Sequence, residues 1–142
     1  MKKQDYSNHA RLVGGFHGFT FLGLVALLIG SIVNVVKSSH ENLYSASLLV
    51  LTSILLILLA FYARSFALKA QDRAIRAEEN MRHFILTQKI LPKELTIRQI
   101  IGLRFASDEE YLALIQRAIK ENLSEKEIKK AIKNWKGDYY RV

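Results

Sequence analysis

A chain of 142 residues that is 50% hydrophobic, carries a net charge of +8 and contains no cysteine has the length of one ordinary domain. The lack of cysteine excludes disulfide scaffolds, thiolate zinc sites, iron–sulfur clusters and cysteine nucleophiles, and one proline with seven glycines excludes a collagenous or low-complexity chain. The excess of 21 Lys and Arg over 13 Asp and Glu fits an anionic partner, nucleic acid or anionic lipid, or a basic cytoplasmic face of a membrane.

Residues 1–11 form a polar N-terminal segment carrying Lys2, Lys3 and Arg11. From there to Lys37 no side chain is charged, and a second uncharged run lies between Glu41 and Arg64. A helix needs roughly 20 residues to cross about 30 Å of hydrocarbon. The two runs therefore predict transmembrane helices over 12–36 and 44–63, joined by a short polar loop over 37–43. The first run is too long for the apolar core of a signal peptide, lacks a small-residue cleavage site and is followed at once by a second span, which argues against a cleaved leader. Cations gather before the first span and after the second, at Arg64, Lys69, Arg73 and Arg76, whereas the loop holds only Lys37. The positive-inside rule then puts both termini in the cytoplasm and makes the spans an antiparallel hairpin.

Within the first span Gly23, Ala26 and Gly30 make a smooth stripe. Small residues let helix backbones approach closely in lipid, so the stripe is expected to pack on the second span, a subunit contact being the alternative. Gly14 and Gly18 add a GxxxG pair of low specificity. In the second span and beyond it, Ala46, Ser53, Ala60, Ala67, Ala74 and Met81 recur every seven residues. Leu49, Leu56, Ala63, Ala70, Ala77 and Phe84 follow three residues later. With neither Pro nor Gly from Glu41 to Ile90, this a/d repeat predicts one continuous helix, with a cytoplasmic extension over 64–90 that supercoils left-handedly with a neighbour. Asp72 with Arg76, Glu78 with Arg82 and Glu79 with His83 support its exposed faces at i,i+4 spacing. An alanine seam buries little by itself and so needs a partner. Either another copy of the helix or the chain's own C-terminal segment can serve, because Leu68 and Ile75 widen the apolar face.

Leu91-Pro92 breaks that helix, and residues 91–142 are expected to form a small cytoplasmic tail of three helices. Thr96 with Gln99, Ser107 with Glu110 and Ser124 with Glu127 match capping boxes. Helical spacing joins Ile97, Ile100, Ile101 and Phe105, then Tyr111, Leu114, Ile115, Ala118 and Ile119, then Ile128, Ala131, Ile132 and Trp135. Gly137 is expected to end the last helix and leave an aromatic tail. Lys126, Lys129, Lys130, Lys133 and Lys136 lie off its apolar face as an anion- or lipid-facing patch. Lysine without Asn or Gln at the helix start suits phosphate rather than bases, and Glu125, Glu127 and Asp138 dilute the patch, which weighs against a nucleic-acid partner.

The run from Ala63 to Glu79, the segment from Ile97 to Ala106, and the ending from Ile132 to Lys136 with Arg141-Val142 resemble a family of small bacterial membrane proteins of unknown function. The similarity covers essentially the full length. It implies a two-span protein of the bacterial inner membrane with a cytoplasmic helical tail, and it brings no activity, ligand or catalytic residue.

Chemistry-bearing residues are sparse. His9, His17, His40 and His83 fall in different regions, so a shared metal is not expected. His17, near the cytoplasmic end of the first span, reads as a snorkelling or hydrogen-bonded residue, with a haem or quinone contact as the alternative. Asp108, Glu109 and Glu110 occupy a helix's first turn, where the macrodipole favours anions. No phosphate-binding glycine loop, zinc-protease helix or nucleophile elbow occurs. The expectation is an all-α, non-enzymatic membrane protein without cofactor or metal, either a homo-oligomeric scaffold or an accessory subunit of a larger inner-membrane complex in contact with membrane lipid. The alternatives are an oligomeric pore or transporter component, for which Ser31, Asn34, Thr52 and Ser53 are the polar span residues, and a membrane-anchored basic domain that binds nucleic acid.

Overall fold

A computed structural model describes residues 4–9 and 12–139. Among them are five α-helices: α1 Phe21–Lys37, α2 Leu43–Thr87, α3 Ile97–Leu103, α4 Asp108–Lys120 and α5 Glu125–Ala131. The described residues contain no β-strand, only an isolated antiparallel bridge between Ala106 and Trp135. The chain forms two compact units, one spanning Arg11–Ala67 and the other joining the N-terminal segment to residues 68–142.

In the first unit a π-helical turn, Gly15–Thr20, runs directly into α1, and a short 3-10 turn, His40–Asn42, leads into α2. Turn and helix give 23 continuous helical residues, and the stretch His40–Thr87 gives 48. By length and composition both suffice to cross a bilayer. The two helices meet through hydroxyls: Ser31 Oγ lies 3.3 Å from Ser53 Oγ, and each is also within hydrogen-bond distance of a carbonyl in its own helix, Leu28 O or Val50 O. Ser31, Ala46 and Ser53 are buried, whereas large side chains such as Phe19, Leu22, Leu55 and Leu59 are exposed.

That contact corrects two register expectations. The stripe Gly23, Ala26 and Gly30 is exposed, and a Cβ added at Gly23 or Gly30 would meet nothing within 4 Å, so it does not carry the packing of α1 on α2. The hydroxyl pair instead turns Leu24, Leu28, Ser31 and Val35 inward. On α2 the series Ala46, Ser53 and Ala60 does turn inward, but its companions are Val50, Ile57 and Arg64, four residues on, while Leu49, Leu56 and Ala63 are exposed. A span apolar on every side offers no amphipathic contrast from which to choose between them.

The second unit has the ordinary core of a soluble domain. Phe105, Tyr111, Ile115, Ala118 and Ile128 are fully buried, and Ile75 of α2 joins them. Capping boxes start α3 at Thr96 with Gln99 and α5 at Ser124 with Glu127. The third expected box does not form: Ser107 makes no side-chain cap bond, and Glu110 accepts instead from the amides of Lys133 and Asn134 at 3.1 and 2.9 Å. Those bonds explain why α5 stops at Ala131 rather than near Gly137. The chain beyond it pairs with the α3–α4 connection, Ser107 N donating to Asn134 O and Lys136 N to Phe105 O. Helix α3 approaches α5 closely at Gly102, where a Cβ would stand 3.2 Å from Glu125 O.

The N-terminal segment is part of this second unit. Gln4 brackets the backbone of Asp138, donating to its carbonyl at 3.3 Å and accepting from its amide at 2.8 Å. The His9 ring packs at 5.9 Å from Phe105 and 5.7 Å from Trp135.

Candidate functional site

The helical extension of α2 beyond Ala67 has two faces of different character. One is packed into the tail by Ile75, Glu79 and His83, all buried. Arg82 anchors it: the guanidinium donates to Asp108 Oδ1 at 2.7 Å, to Ala106 O at 2.7 Å and to Glu79 Oε2 at 3.3 Å, and lies 4.1 Å over the Tyr111 ring. Glu79, not the expected Glu78, is therefore its partner on α2. A guanidinium with this many partners is held far more firmly than an exposed ion pair, because desolvation is offset at each of its three nitrogens. Burial pushes the Tyr111 hydroxyl well above its ordinary pKa, and that hydroxyl donates to Glu79 O at 3.3 Å. His83 Nδ1 meets Lys89 O at 2.9 Å, and Asn80 Oδ1 accepts from Leu91 N, which turns the chain out of α2. The helix accordingly ends at Thr87, with Gln88 in the left-handed region at φ 57°.

The other face carries the heptad residues. Ala70, Ala74, Ala77, Met81 and Phe84 are all exposed, Met81 at 60% and Phe84 at 44%. At 100° per residue they centre roughly 180° from the packed face. The intramolecular contact of this helix with the tail thus runs through Ile75, Glu79 and His83, and the alanine seam is left uncovered. Ile85, at 67% exposure, adds to the same side. An apolar strip of this length on a helix that already buries its opposite face is what an interaction surface looks like.

The lysine patch is only partly realised. Lys126, Lys130, Lys133 and Lys136 are exposed, but Lys129 is buried, its Nζ 2.6 Å from Glu125 Oε1 and 3.3 Å from His9 Nε2. It ties the N-terminal segment to α5 and does not face outward. Since an ammonium only donates, His9 accepts through Nε2 and its Nδ1–H donates to Tyr6 O at 2.8 Å. Lys133 and Lys136 lie past the end of α5, so the patch is not a helical face. Lys130 Nζ lies 5.8 Å over the Tyr6 ring. Sequence spacing alone missed the inward lysine, although the Glu125–Lys129 i,i+4 spacing was a signal for it.

Among the described residues no group of three His, Asp or Glu side chains is placed to hold a metal ion. Met81, Arg82, Ile85, Asp108 and Lys136 line an open surface cleft of mixed charge, in which Arg82 and Asp108 are already engaged with each other.

The model of a family described as a family of unknown function, DUF6526, matches residues 1–142. No curated protein and no solved structure matches the chain.

Proposed function

The chain belongs to the DUF6526 family, and for it we propose a non-enzymatic role as a two-span protein of the bacterial inner membrane that self-associates into a scaffold. In this reading α1 and the first half of α2 form an antiparallel transmembrane hairpin, both termini are cytoplasmic, and the rest of α2 carries the tail. The observation that carries it is the uncovered strip of Ala70, Ala74, Ala77, Met81 and Phe84. Its seven-residue period matches the supercoil that two like helices adopt, and alanine at the seam favours close approach by an equally smooth partner, which points to a second copy. The hairpin draws support from the second unit. Gln4 bonds to Asp138 and His9 packs on Trp135, a contact that supports placing the N-terminal segment and the tail on the same side with an even number of crossings between them.

The test is the mass of the full-length protein extracted in mild detergent, alone and with the double substitution Met81→Glu and Phe84→Glu. Wild type is expected at a discrete multiple of 16.3 kDa and the variant at one copy, with helical content unchanged. A wild-type monomer, or a variant of unaltered mass, overturns self-assembly; a monomer that co-extracts with a larger complex makes the same strip the docking face of an accessory subunit.

A further inference from the structure

Within the unit Arg11–Ala67, beside the π-helical turn, α1 and α2 enclose a groove of about 330 Å³. Phe16, Leu24, Ile57 and Phe61 contribute its apolar walls, and His17 and Arg64 are its only ionisable lining residues. The inference below rests on the membrane reading proposed above.

Arg64 is half-buried in this groove, and among the described residues it has no carboxylate partner. The only carboxylate between residues 12 and 67 is Glu41, in the turn at the far end of both helices. A cation withdrawn from water against apolar walls is costly unless an anion meets it. Its planar fork of donors matches phosphate bidentately. His17 supplies a second polar group. Its Nδ1 is engaged locally, 3.1 Å from both the amide N and the carbonyl O of Val13. When Nδ1 accepts from that amide, Nε2 carries the ring hydrogen and is the donor left for a ligand. The turn that bears His17 is wound i→i+5, a geometry that recurs at ligand sites, and Thr20 Oγ1 is already spent on Gly15 O at 3.0 Å. Charge complementarity therefore selects an occupant that is apolar along its length and anionic at one end.

We infer that this groove holds one acyl chain of an anionic phospholipid, its phosphate gripped by Arg64 and approached by His17. Arg64 directly follows the second uncharged run, which sets it at headgroup depth, where an arginine's apolar stem lies along hydrocarbon and its charge reaches the interface. A neutral quinone fits the walls but leaves the Arg64 charge uncompensated.

The experiment adds phosphatidylglycerol, phosphatidylcholine of the same chains, or ubiquinone to the delipidated full-length protein in mild detergent and counts bound molecules by native mass spectrometry. Wild type is expected to retain phosphatidylglycerol over phosphatidylcholine by about fivefold, the order that the one interfacial cation, Arg64, provides. Arg64→Gln is expected to abolish the preference, and Arg64→Lys, which keeps the charge but loses the fork, to restore part of it. Should Arg64→Gln fail to fold, His17→Gln, which removes the ring donor, is the second variant, expected to weaken the preference about twofold. Equal retention of the two phospholipids by wild type, an undiminished preference in Arg64→Gln, or stronger retention of ubiquinone each overturns the inference. Co-sedimentation with pure phosphatidylcholine vesicles is read separately: protein that binds them without a phosphatidylglycerol preference loses this inference alone, whereas protein recovered in the soluble fraction without detergent loses the membrane reading itself.

Discussion

Gln99 of α3 is buried, and each end of its amide is spoken for. Its Oε1 accepts from Thr96 N at 2.9 Å and from Thr96 Oγ1 at 3.1 Å, closing the capping box of α3. Its Nε2 donates to Ala118 O at 3.3 Å and Leu123 O at 3.0 Å. Those carbonyls belong to the last turn of α4 and to the chain just past its cap, where the helix closes with the paired bonds of a Schellman motif, Leu123 N to Ala118 O at 3.1 Å and Asn122 N to Ile119 O at 3.4 Å, with Asn122 at φ 48°. One side chain thus joins the start of α3 to the end of α4. Gln99→Glu keeps the shape and the capping acceptor but turns a carboxylate oxygen toward two carbonyls. The loss of two donors and the burial of a charge are expected to cost roughly 2–3 kcal/mol. Trp135, the only tryptophan and packed 5.0 Å from Phe105, reports unfolding of the tail by its fluorescence. A urea midpoint at pH 7 equal to that of wild type would refute this account.

At the scale of elements, the segment Gln4–His9 is the addition that sequence spacing did not announce. Asp5 Oδ1 accepts from Ser7 N at 2.7 Å and from Ser7 Oγ at 2.6 Å, a local turn that presents Tyr6 and His9 to the tail. His9→Ala removes the ring lying between Tyr6, Phe105 and Trp135 and the acceptor for Lys129. It is expected to lower tail stability by roughly 1–2 kcal/mol and to shift Trp135 emission to the red. Emission and stability identical to wild type would mean that the segment does not close over Phe105 in solution. What the sequence reveals about such elements follows from the range of the forces involved. Boxes at Thr96 and Ser124 are legible because all their partners lie within three residues. Glu110 is illegible because its partners, the amides of Lys133 and Asn134, are 23 and 24 residues away. The length of α2 is legible from an unbroken run without Pro or Gly, but its facing register is not. In a span apolar all round, only the hydroxyl pair Ser31 and Ser53 distinguishes the contact side, and nothing in the pattern links those two residues across the turn. Of the candidate surfaces, the alanine seam was visible as a period, whereas the groove at His17 and Arg64 depends on which sides of two helices meet.

For the whole molecule, the testable question is where its two ends stand relative to a membrane, and the absence of cysteine makes it accessible, since any introduced thiol is the only one present. Three exposed positions sample the chain: Ser7 in the N-terminal segment, Ser39 in the turn before α2, and Lys126 in α5. The bonds joining Gln4 to Asp138 and His9 to Lys129 require Ser7→Cys and Lys126→Cys to react alike, whichever way the protein inserts. Cation asymmetry then chooses the direction. Arg64, Lys69, Arg73 and Arg76 follow the second uncharged run, while at the turn between the helices the only Lys or Arg is Lys37, the last residue of α1. In intact cells an impermeant maleimide is therefore expected to label Ser39→Cys and to reach Ser7→Cys and Lys126→Cys only after permeabilisation. Labelling of the two termini with protection of the turn would keep the hairpin and reverse its orientation. Discordance between Ser7→Cys and Lys126→Cys would be the graver result, because it requires an odd number of crossings and hence separates the N-terminal segment from the domain it packs against. In the proposed membrane reading the even number of crossings rests on the packing of Gln4 and His9 on the tail rather than on hydropathy, so one labelling pattern tests those contacts together with that reading.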